Sequence, residues 1–312
     1  MPPIIRVSRL VKRYKKAKEN AVDDVSFEVG EGEFFAFLGP NGAGKTTTIS
    51  ILTTPLTPTA GTVEIDGHDL VADPHGVRRS IGVIFQNPSL DGNLTAEENI
   101  RMHCALYGLH GFRPRYALMP AEYRTRVEEL LEMVGLKDQM HARAKTFSGG
   151  MKRKLEIVRS LFHRPKVLFL DEPTSGLDPV SRRALWEELA RVRRTQNTTI
   201  FLTTHYLDEA EDADRVALIH KGKLRRLDAP RAIKKDLVDE VLVLDAADRG
   251  ALRRELSAMG LPIVENSHLE VPLRDHSAQV VIRSLTVPLT RLEIRTPTLE
   301  EAYIRFLDAH AA

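Results

Sequence analysis

The sequence predicts an α/β protein built on a parallel sheet covered on both faces, followed by a smaller α+β domain. Three observations predict it. Apolar strand-like runs alternate with helical stretches between Val167 and Ile219. A glycine-rich turn follows Phe34-Phe35-Ala36-Phe37-Leu38, a continuous apolar run. The periodicity then changes after Asp228-Ala229-Pro230. A chain of 312 residues that is 42% hydrophobic has material for two cores.

The early elements read as strands at Ile4–Val7 and Asp24–Val29, broken by Gly30 and Gly32. Phe34–Leu38 suits a strand buried on both faces, and Thr47–Leu52 reads as the helix after the glycine turn. Further strands are expected at Thr62–Gly67 and Ile81–Phe85. Between roughly Thr95 and His163 the pattern is helical, with Val127, Leu130, Leu131 and Val134 on one face. Then come a strand at Val167–Leu170, a helix at Ser181–Arg194 and a strand at Thr199–Leu202. A helix at Leu207–Ala213 and a strand at Arg215–Ile219 complete the alternation. Beyond Pro230 the expected order is a strand at Glu240–Leu244, a helix at Arg249–Met259 and a hairpin around Asn266-Ser267. A helix at Ala278–Leu285 and a strand at Leu292–Ile294 follow, giving the β-α-β-β-α-β order of a ferredoxin-like domain. A last helix starts at Thr298, with Glu301 completing a capping box.

Composition narrows the function classes. Lys+Arg 45 against Asp+Glu 43 leaves a net charge of +2, so no strong field points to nucleic acid or a membrane surface. The single cysteine, Cys104, excludes an internal disulfide and a Cys-built zinc site, and it suits a reducing compartment. No apolar run approaches the ~18–20 residues of a membrane helix, and Met1–Arg6 lacks a signal pattern. A soluble intracellular protein with no nucleic-acid partner is expected.

The chemistry is concentrated in two motifs. Gly39-Pro40-Asn41-Gly42-Ala43-Gly44-Lys45-Thr46 fits the phosphate-binding pattern G-x-x-x-x-G-K-[ST] between a buried strand and a helix. Its glycines let backbone N–H groups close on phosphate oxygens, Lys45 adds a point charge, and the Thr46 hydroxyl suits Mg²⁺. Val167-Leu168-Phe169-Leu170-Asp171-Glu172 puts two carboxylates at the C-terminal end of a buried strand, the edge where open α/β sheets bind ligands. Asp171 there suits the metal, directly or through water, and Glu172 suits a general base for water.

With these in place the chain resembles the nucleotide-binding subunit of an ABC transporter, over about Val7 to Leu227. Thr146-Phe147-Ser148-Gly149-Gly150-Met151 resembles the family's signature loop. Gln86 resembles the Q-loop glutamine, Ser175-Gly176-Leu177-Asp178 the D-loop and His205 the switch histidine. The resemblance implies an α/β P-loop NTPase of the ABC ATPase type, with a mixed sheet, an antiparallel β subdomain and a helical subdomain at about 90–163. It places the nucleotide-binding domain at 1–228 and an accessory α+β domain at 229–312. It implies ATP and Mg²⁺, with Glu172, His205 and Gln86 catalytic and with Thr46, Gln86 and Asp171 toward the metal. It also implies Tyr14 on the adenine, and residues 39–46 with Thr47 around the phosphates.

Ser148, Gly149 and Gly150 also precede a helix at Met151–Ser160, which makes a second phosphate cradle. One chain needs a single cradle for one ATP. The family resolves this with a head-to-tail dimer in which each signature loop closes on the partner's nucleotide. A simple N-cap by Ser148 is compatible with that role. The family's usual signature begins with Leu and has Gln after the glycines, whereas Phe147 and Met151 stand here. Together with Thr204–Ala210 and Thr296–Tyr303, this pattern resembles the daunorubicin-resistance type of drug and lipid exporters. That type implies a separately encoded membrane permease and a homodimer or a dimer with a related ATPase subunit, at the cytoplasmic face of the membrane. The alternative is a non-transport ABC ATPase acting on ribosomes or DNA.

Three further features have plain readings. The acidic run Asp208–Asp212 reads as a solvated helix face. His103, Cys104 and His110 are too loosely spaced for a metal site and read as ordinary helix residues. The stretch between Leu109 and Tyr123 is longer than similar helical subdomains lead one to expect. It is either an excursion near the membrane partner or a surface loop.

Overall fold

The computed structural model describes residues 2–309 apart from 87, 88, 112, 238, 274 and 275, and gives only the backbone of 237 and 306–309. The chain divides into two compact units, Met1–Tyr206 with Ala213–Leu227, and Leu207–Asp212 with Asp228–Ala312.

The first unit runs β1 (Ile5–Lys12), β2 (Val22–Val29), β3 (Phe34–Leu38), α1 (Lys45–Leu52), β4 (Ala60–Ile65), β5 (His68–Asp69), α2 (Pro74–Ser80) and β6 (Ile81–Ile84). It continues with α3 (Ala96–Leu106), α4 (Ala121–Met133), α5 (Gly149–Leu161), β7 (Val167–Asp171), α6 (Pro179–Gln196), β8 (Thr199–Thr204), β9 (Arg215–His220) and β10 (Lys223–Asp228). Two sheets result. One is antiparallel with order β2-β1-β4-β5; the other has order β10-β9-β3-β8-β7-β6, with β9, β3, β8, β7 and β6 mutually parallel.

All five residues of β3 and of β7 are buried, as continuous apolar runs demand of strands covered on both faces. Between the sheets, Phe27 stacks on Phe35 at 5.4 Å, and Phe201 lies 5.3 Å from Phe35 and 5.2 Å from Phe169. Each such pair adds about 0.5–1.5 kcal/mol beyond its buried area, which stiffens the strands that carry the site.

The helices α3, α4 and α5 form the helical subdomain. Its interior holds a charge pair, Glu97 with Arg101 at 2.9 Å, and the Tyr123 hydroxyl donates to the same carboxylate at 3.0 Å. The long stretch before Tyr123 is mostly exposed, as a surface loop, and is pinned at a few points: Arg101 donates to the Arg113 carbonyl, Met119 is buried, and the Tyr116 hydroxyl donates to Glu128 at 2.9 Å. Phe112 of that stretch lies outside the described residues. Cys104 is fully buried on α3, which pushes its thiol up to about 12. His110 lies beyond the end of α3 rather than on it.

The second unit contains α7 (Pro230–Leu237), β11 (Val241–Ala246), α8 (Arg249–Ala258), β12 (Val264–Glu265), β13 (Leu269–Pro272), α9 (Ala278–Ser284), β14 (Leu289–Arg295) and α10 (Leu299–Ala309). Its sheet has order β12-β13-β11-β14 with antiparallel neighbours, the split β-α-β topology expected from the sequence. Leu242, Leu244, Leu252, Leu256, Leu269 and Val271 fill its core. The Thr298–Glu301 capping box forms in both directions, at 3.2 and 3.0 Å.

The acidic run differs from its reading. Only Leu207–Ala210 is helical, as a 3₁₀ turn, and Glu209 is buried. Glu211 accepts from Lys234 of α7 at 2.6 Å and from the Leu299 N–H of α10 at 2.7 Å. Glu211 is held by structure contributed from far along the chain, which a solvated helix face would not show. Among the described residues no helix is long and apolar enough to cross a membrane.

Candidate active site

Parallel register assembles the site. Leu38 at the end of β3 pairs with Thr204 at the end of β8, and Thr203 of β8 pairs with Asp171 at the end of β7. The loop after β3, the acids at the end of β7 and the histidine after β8 therefore emerge side by side at the C-terminal edge of the sheet.

The loop Gly39–Gly44 has the geometry its glycines were expected to supply. A Cβ on Gly39 would lie 2.5 Å from the Ile219 carbonyl, and one on Gly44, at φ 107°, 2.4 Å from the Ala21 carbonyl. Only hydrogen fits at either position, so the loop folds tightly ahead of α1. Lys45 is buried, and its Nζ donates to the carbonyls of Gly39 at 2.7 Å and Pro40 at 3.2 Å. Burial draws its pKa below that of an ordinary lysine, while the nearby carboxylates of Glu172 and Asp171 oppose the shift.

Asn41, Gly42, Gly44, Lys45, Thr46, Thr47 and Glu172 line one depression at the mouth of this loop. Tyr14 reaches the same place: its hydroxyl lies 3.3 Å from Thr47 Oγ1, while the ring stays 46% exposed and available to stack. Pro40 and Ala43 belong to the loop backbone, where Ala43 is buried.

Asp171 and Glu172 sit in different surroundings although they are neighbours. Asp171 is 6% exposed, and the Thr203 hydroxyl donates to it. Burial raises its pKa, with Glu172 adding to the effect and Thr203, Lys45 and Arg153 opposing it. A cation beside it would reverse that cost, so Asp171 and the exposed residue Thr46 suit a hard divalent ion with oxygen ligands.

Glu172 adopts φ 46°, a left-handed conformation that costs a non-glycine residue about 1–3 kcal/mol. Its N–H donates to the Thr203 carbonyl at 2.9 Å. The turn delivers the carboxylate between two partners: Gln86 Nε2 donates to Oε2 at 3.0 Å, and His205 Nδ1 lies 3.0 Å from Oε1. Gln86 follows β6, Glu172 follows β7 and His205 follows β8, so sheet order alone makes Glu172 the middle member.

The signature residues go elsewhere in the same chain. Ser148 caps α5, accepting from the Met151 N–H at 3.2 Å. Asp178 caps α6, accepting from the N–H groups of Val180 and Ser181 at 3.0 Å each, and the Ser181 hydroxyl donates to it at 2.6 Å. Those bonds hold its pKa below the usual carboxylate value. The two caps meet, because a Cβ on Gly150 would come within 2.6 Å of Ser181 Oγ. Ser148, Gly150, Met151, Leu177 and Ser181 line a groove separate from the depression at Lys45. A Cβ on Gly149 would meet only Leu177, at 4.0 Å.

Two residues that complete the site went unread in the sequence. Thr203 holds Asp171, and its only signal is a hydroxyl at the buried C-terminal end of β8, after the apolar run Ile200–Leu202. Arg153 is 4% exposed on α5 and donates to the carbonyls of Phe85, Glu172 and Pro173 at 2.6, 3.3 and 2.6 Å. Its signal is an Arg–Glu pair spaced i, i+3 with Glu156, set among apolar residues.

Comparisons with known proteins bear on the family and the fold. Residues 22–175 match the family model described as ABC transporter. The chain is 39% identical over 305 residues to the daunorubicin/doxorubicin resistance ATP-binding protein DrrA of Streptomyces peucetius, covering 96% of this chain and 89% of that protein. A solved ATP-binding subunit of an ABC transporter superposes with a TM-score of 0.64 at 32% identity, over 75% of this chain and 92% of the other. The ATP-binding cassette MJ0796, solved as a dimer in a post-hydrolysis state with ADP and phosphate, gives 0.63 at 27% identity, over 72% and 98%.

Proposed function

This chain belongs to the ABC transporter family as an ATP-hydrolysing, Mg²⁺-dependent subunit, and on that premise we propose that it powers export of a drug-like, lipid or other hydrophobic compound through a separately encoded membrane permease. Residues 1–228 then form the nucleotide-binding domain and 229–312 an accessory domain. The subunit works at the cytoplasmic face of the membrane, held there by the permease.

The observation that carries the catalytic part is the Gln86–Glu172–His205 convergence beside the phosphate loop. Backbone N–H groups of residues 39–46 and the Lys45 ammonium take the β- and γ-phosphates, Thr47 extends the contact, and Tyr14 stacks on the adenine. Thr46, Asp171 and Gln86 would hold Mg²⁺, which when bound would neutralise charge on the phosphate oxygens. Glu172 accepts a proton from the attacking water as the γ-phosphoryl group passes from ADP to that water. Gln86 and His205 keep the carboxylate aimed, and His205 faces the γ-phosphate.

Ser148, Gly149 and Gly150 complete the partner subunit's site, and Asp178 lies at the same junction. Two facts support the shared site. The signature residues line a groove apart from their own phosphate loop. Almost nothing within the chain fills the space beside Gly149. The dimer is of two identical chains or of this chain with a related ATPase subunit.

Export is supported by 39% identity to a drug-resistance ATP-binding protein across nearly the whole chain. The test is co-purification of the full chain from detergent-solubilised membranes, followed by ATPase assay of the complex. An integral membrane protein that binds stoichiometrically and alters Mg-ATP turnover is expected. Recovery with ribosomes or DNA and no membrane protein would overturn the export reading.

A further inference from the structure

A guanidinium on the signature helix holds the backbone on which the Q-loop glutamine and the general base are mounted. Arg153 lies four residues after Gly149, and its Nε and both Nη atoms reach three carbonyls of two other segments. One carbonyl, that of Phe85, directly precedes Gln86; the others belong to Glu172 itself and to Pro173.

The charge is matched within the helix. Glu156 is 1% exposed, and its Oε2 accepts from Arg153 Nη1 at 2.9 Å. Its other oxygen accepts from the Ser89 N–H at 2.9 Å, and Arg159 donates to the Ser89 carbonyl at 2.8 Å. One turn on, the Ser160 hydroxyl donates to the Val83 carbonyl at 3.0 Å. The helix that begins at Ser148 is thus tied to both flanks of Gln86 and to the turn at Glu172.

The planar guanidinium suits this work. It presents several donors in a fixed fork, so three carbonyls bound to it hold fixed relative positions. Glu172 needs such a restraint, since its left-handed backbone persists only where the surroundings hold it.

We propose that Arg153, neutralised by Glu156, is a positioning residue. It sets the Gln86–Glu172 geometry and links movement of the signature loop to the base in the same chain. The proposal rests on Glu172 being the general base. It gives a physical route between the two nucleotides of a dimer. The loop that closes on the partner's nucleotide is rigidly joined to the residue that hydrolyses its own.

A structural pair alone would behave differently, and replacing both partners separates the two. Arg153→Met takes from buried Glu156 the nearer of its two cations, Arg159 being at 3.9 Å, and lowers stability, whereas Arg153→Met with Glu156→Gln removes the charge pair, keeps an oxygen for the Ser89 N–H and recovers part of the loss. The full chain is assayed for melting temperature, for Mg-ATP affinity by titration calorimetry and for kcat. Expected for the double variant are a melting temperature above that of Arg153→Met, unchanged ATP affinity and a kcat about 10- to 100-fold lower than wild type, the cost of misplacing a reacting group. Arg153→Lys, which keeps the charge but not the fork, should bind ATP as wild type does and retain only part of kcat. A double variant with wild-type kcat overturns the proposal, as does loss of affinity equal to the loss of turnover. Glu172→Gln run alongside tests the underlying reading separately: if it keeps wild-type turnover, the base assignment fails whatever Arg153 does.

Discussion

The Glu172 carboxylate is held from both sides by residues from neighbouring strands, with Gln86 Nε2 at 3.0 Å from one oxygen and His205 Nδ1 at 3.0 Å from the other. Both partners keep their hold by spending contacts on a single acceptor, so a carboxylate at this position is oriented before any nucleotide arrives. Orientation of that kind is what phosphoryl transfer asks of a protein, because positioning and electrostatics supply most of the catalysis.

Glu172→Gln should retain ATP binding and lose about 10²–10⁴-fold in turnover, because the amide cannot accept the water's proton. The phosphate loop is untouched, so the ATP-bound dimer should accumulate. Size-exclusion chromatography with Mg-ATP reads the trapped dimer, and a monomer with normal turnover would remove Glu172 from the mechanism.

Lys45→Ala should fail at binding. In the proposed mechanism, the ammonium that now donates to the Gly39 and Pro40 carbonyls is the charge offered to the triphosphate. A charge-assisted contact contributes about 1.5–3 kcal/mol, or 10- to 100-fold in affinity. Isothermal titration showing wild-type affinity for ATP would contradict the loop assignment.

Asp171 gives a prediction in pH. Its folded pKa is raised, chiefly by burial, so the folded state holds the proton more tightly than the unfolded chain. The stability this contributes is therefore fully present below the ordinary aspartate pKa and is lost as pH rises through the raised value. Asp171→Asn mimics the protonated form and can still accept from the Thr203 hydroxyl. In the absence of nucleotide and Mg²⁺, the variant should melt higher than wild type at pH 7, and the gain should vanish in acid. Parallel melting curves across pH check it; an advantage that grows in acid would show the assigned sign to be wrong.

How legible the molecule was from its sequence varies by element, and for physical reasons. Phe34–Leu38 was read with the observed bounds because a strand buried on both faces is one unbroken apolar run. The seven-residue helix α2 was missed, since only Val77 and Ser80 are buried and about two turns show too little of a period. The helix α7 was missed as well, although it begins at Pro230, beside the division between the two units that was read at Asp228–Pro230. Each motif of the site was visible as a local pattern. Their convergence was not, because Gln86 lies 86 residues and His205 33 residues from Glu172. Only the order of β6, β7 and β8 in the sheet brings them together. Arg153 escaped notice because its partners are backbone carbonyls, which carry no sequence signature.

The signature loop gives the sharpest test of a shared site. Within one chain Ser148 is simply a helix cap, and losing that cap costs about 1 kcal/mol. If capping were its whole role, Ser148→Arg would lower stability slightly and leave hydrolysis intact. If Ser148 completes the partner's site, the monomer should still bind ATP while dimer closure and turnover collapse. A crosslink settles the geometry more directly. Cysteines are placed at Ser148 and Asn41 in a chain that also carries Glu172→Gln. Native Cys104 can remain, being fully buried with its thiol pushed up to about 12, so that almost no thiolate is exposed to reagent. With Mg-ATP a disulfide should join the Ser148 position of one subunit to the Asn41 position of the other, and without nucleotide it should not. A dimer that forms with ATP and never crosslinks would rule out the head-to-tail arrangement and return Ser148 to the role of a cap.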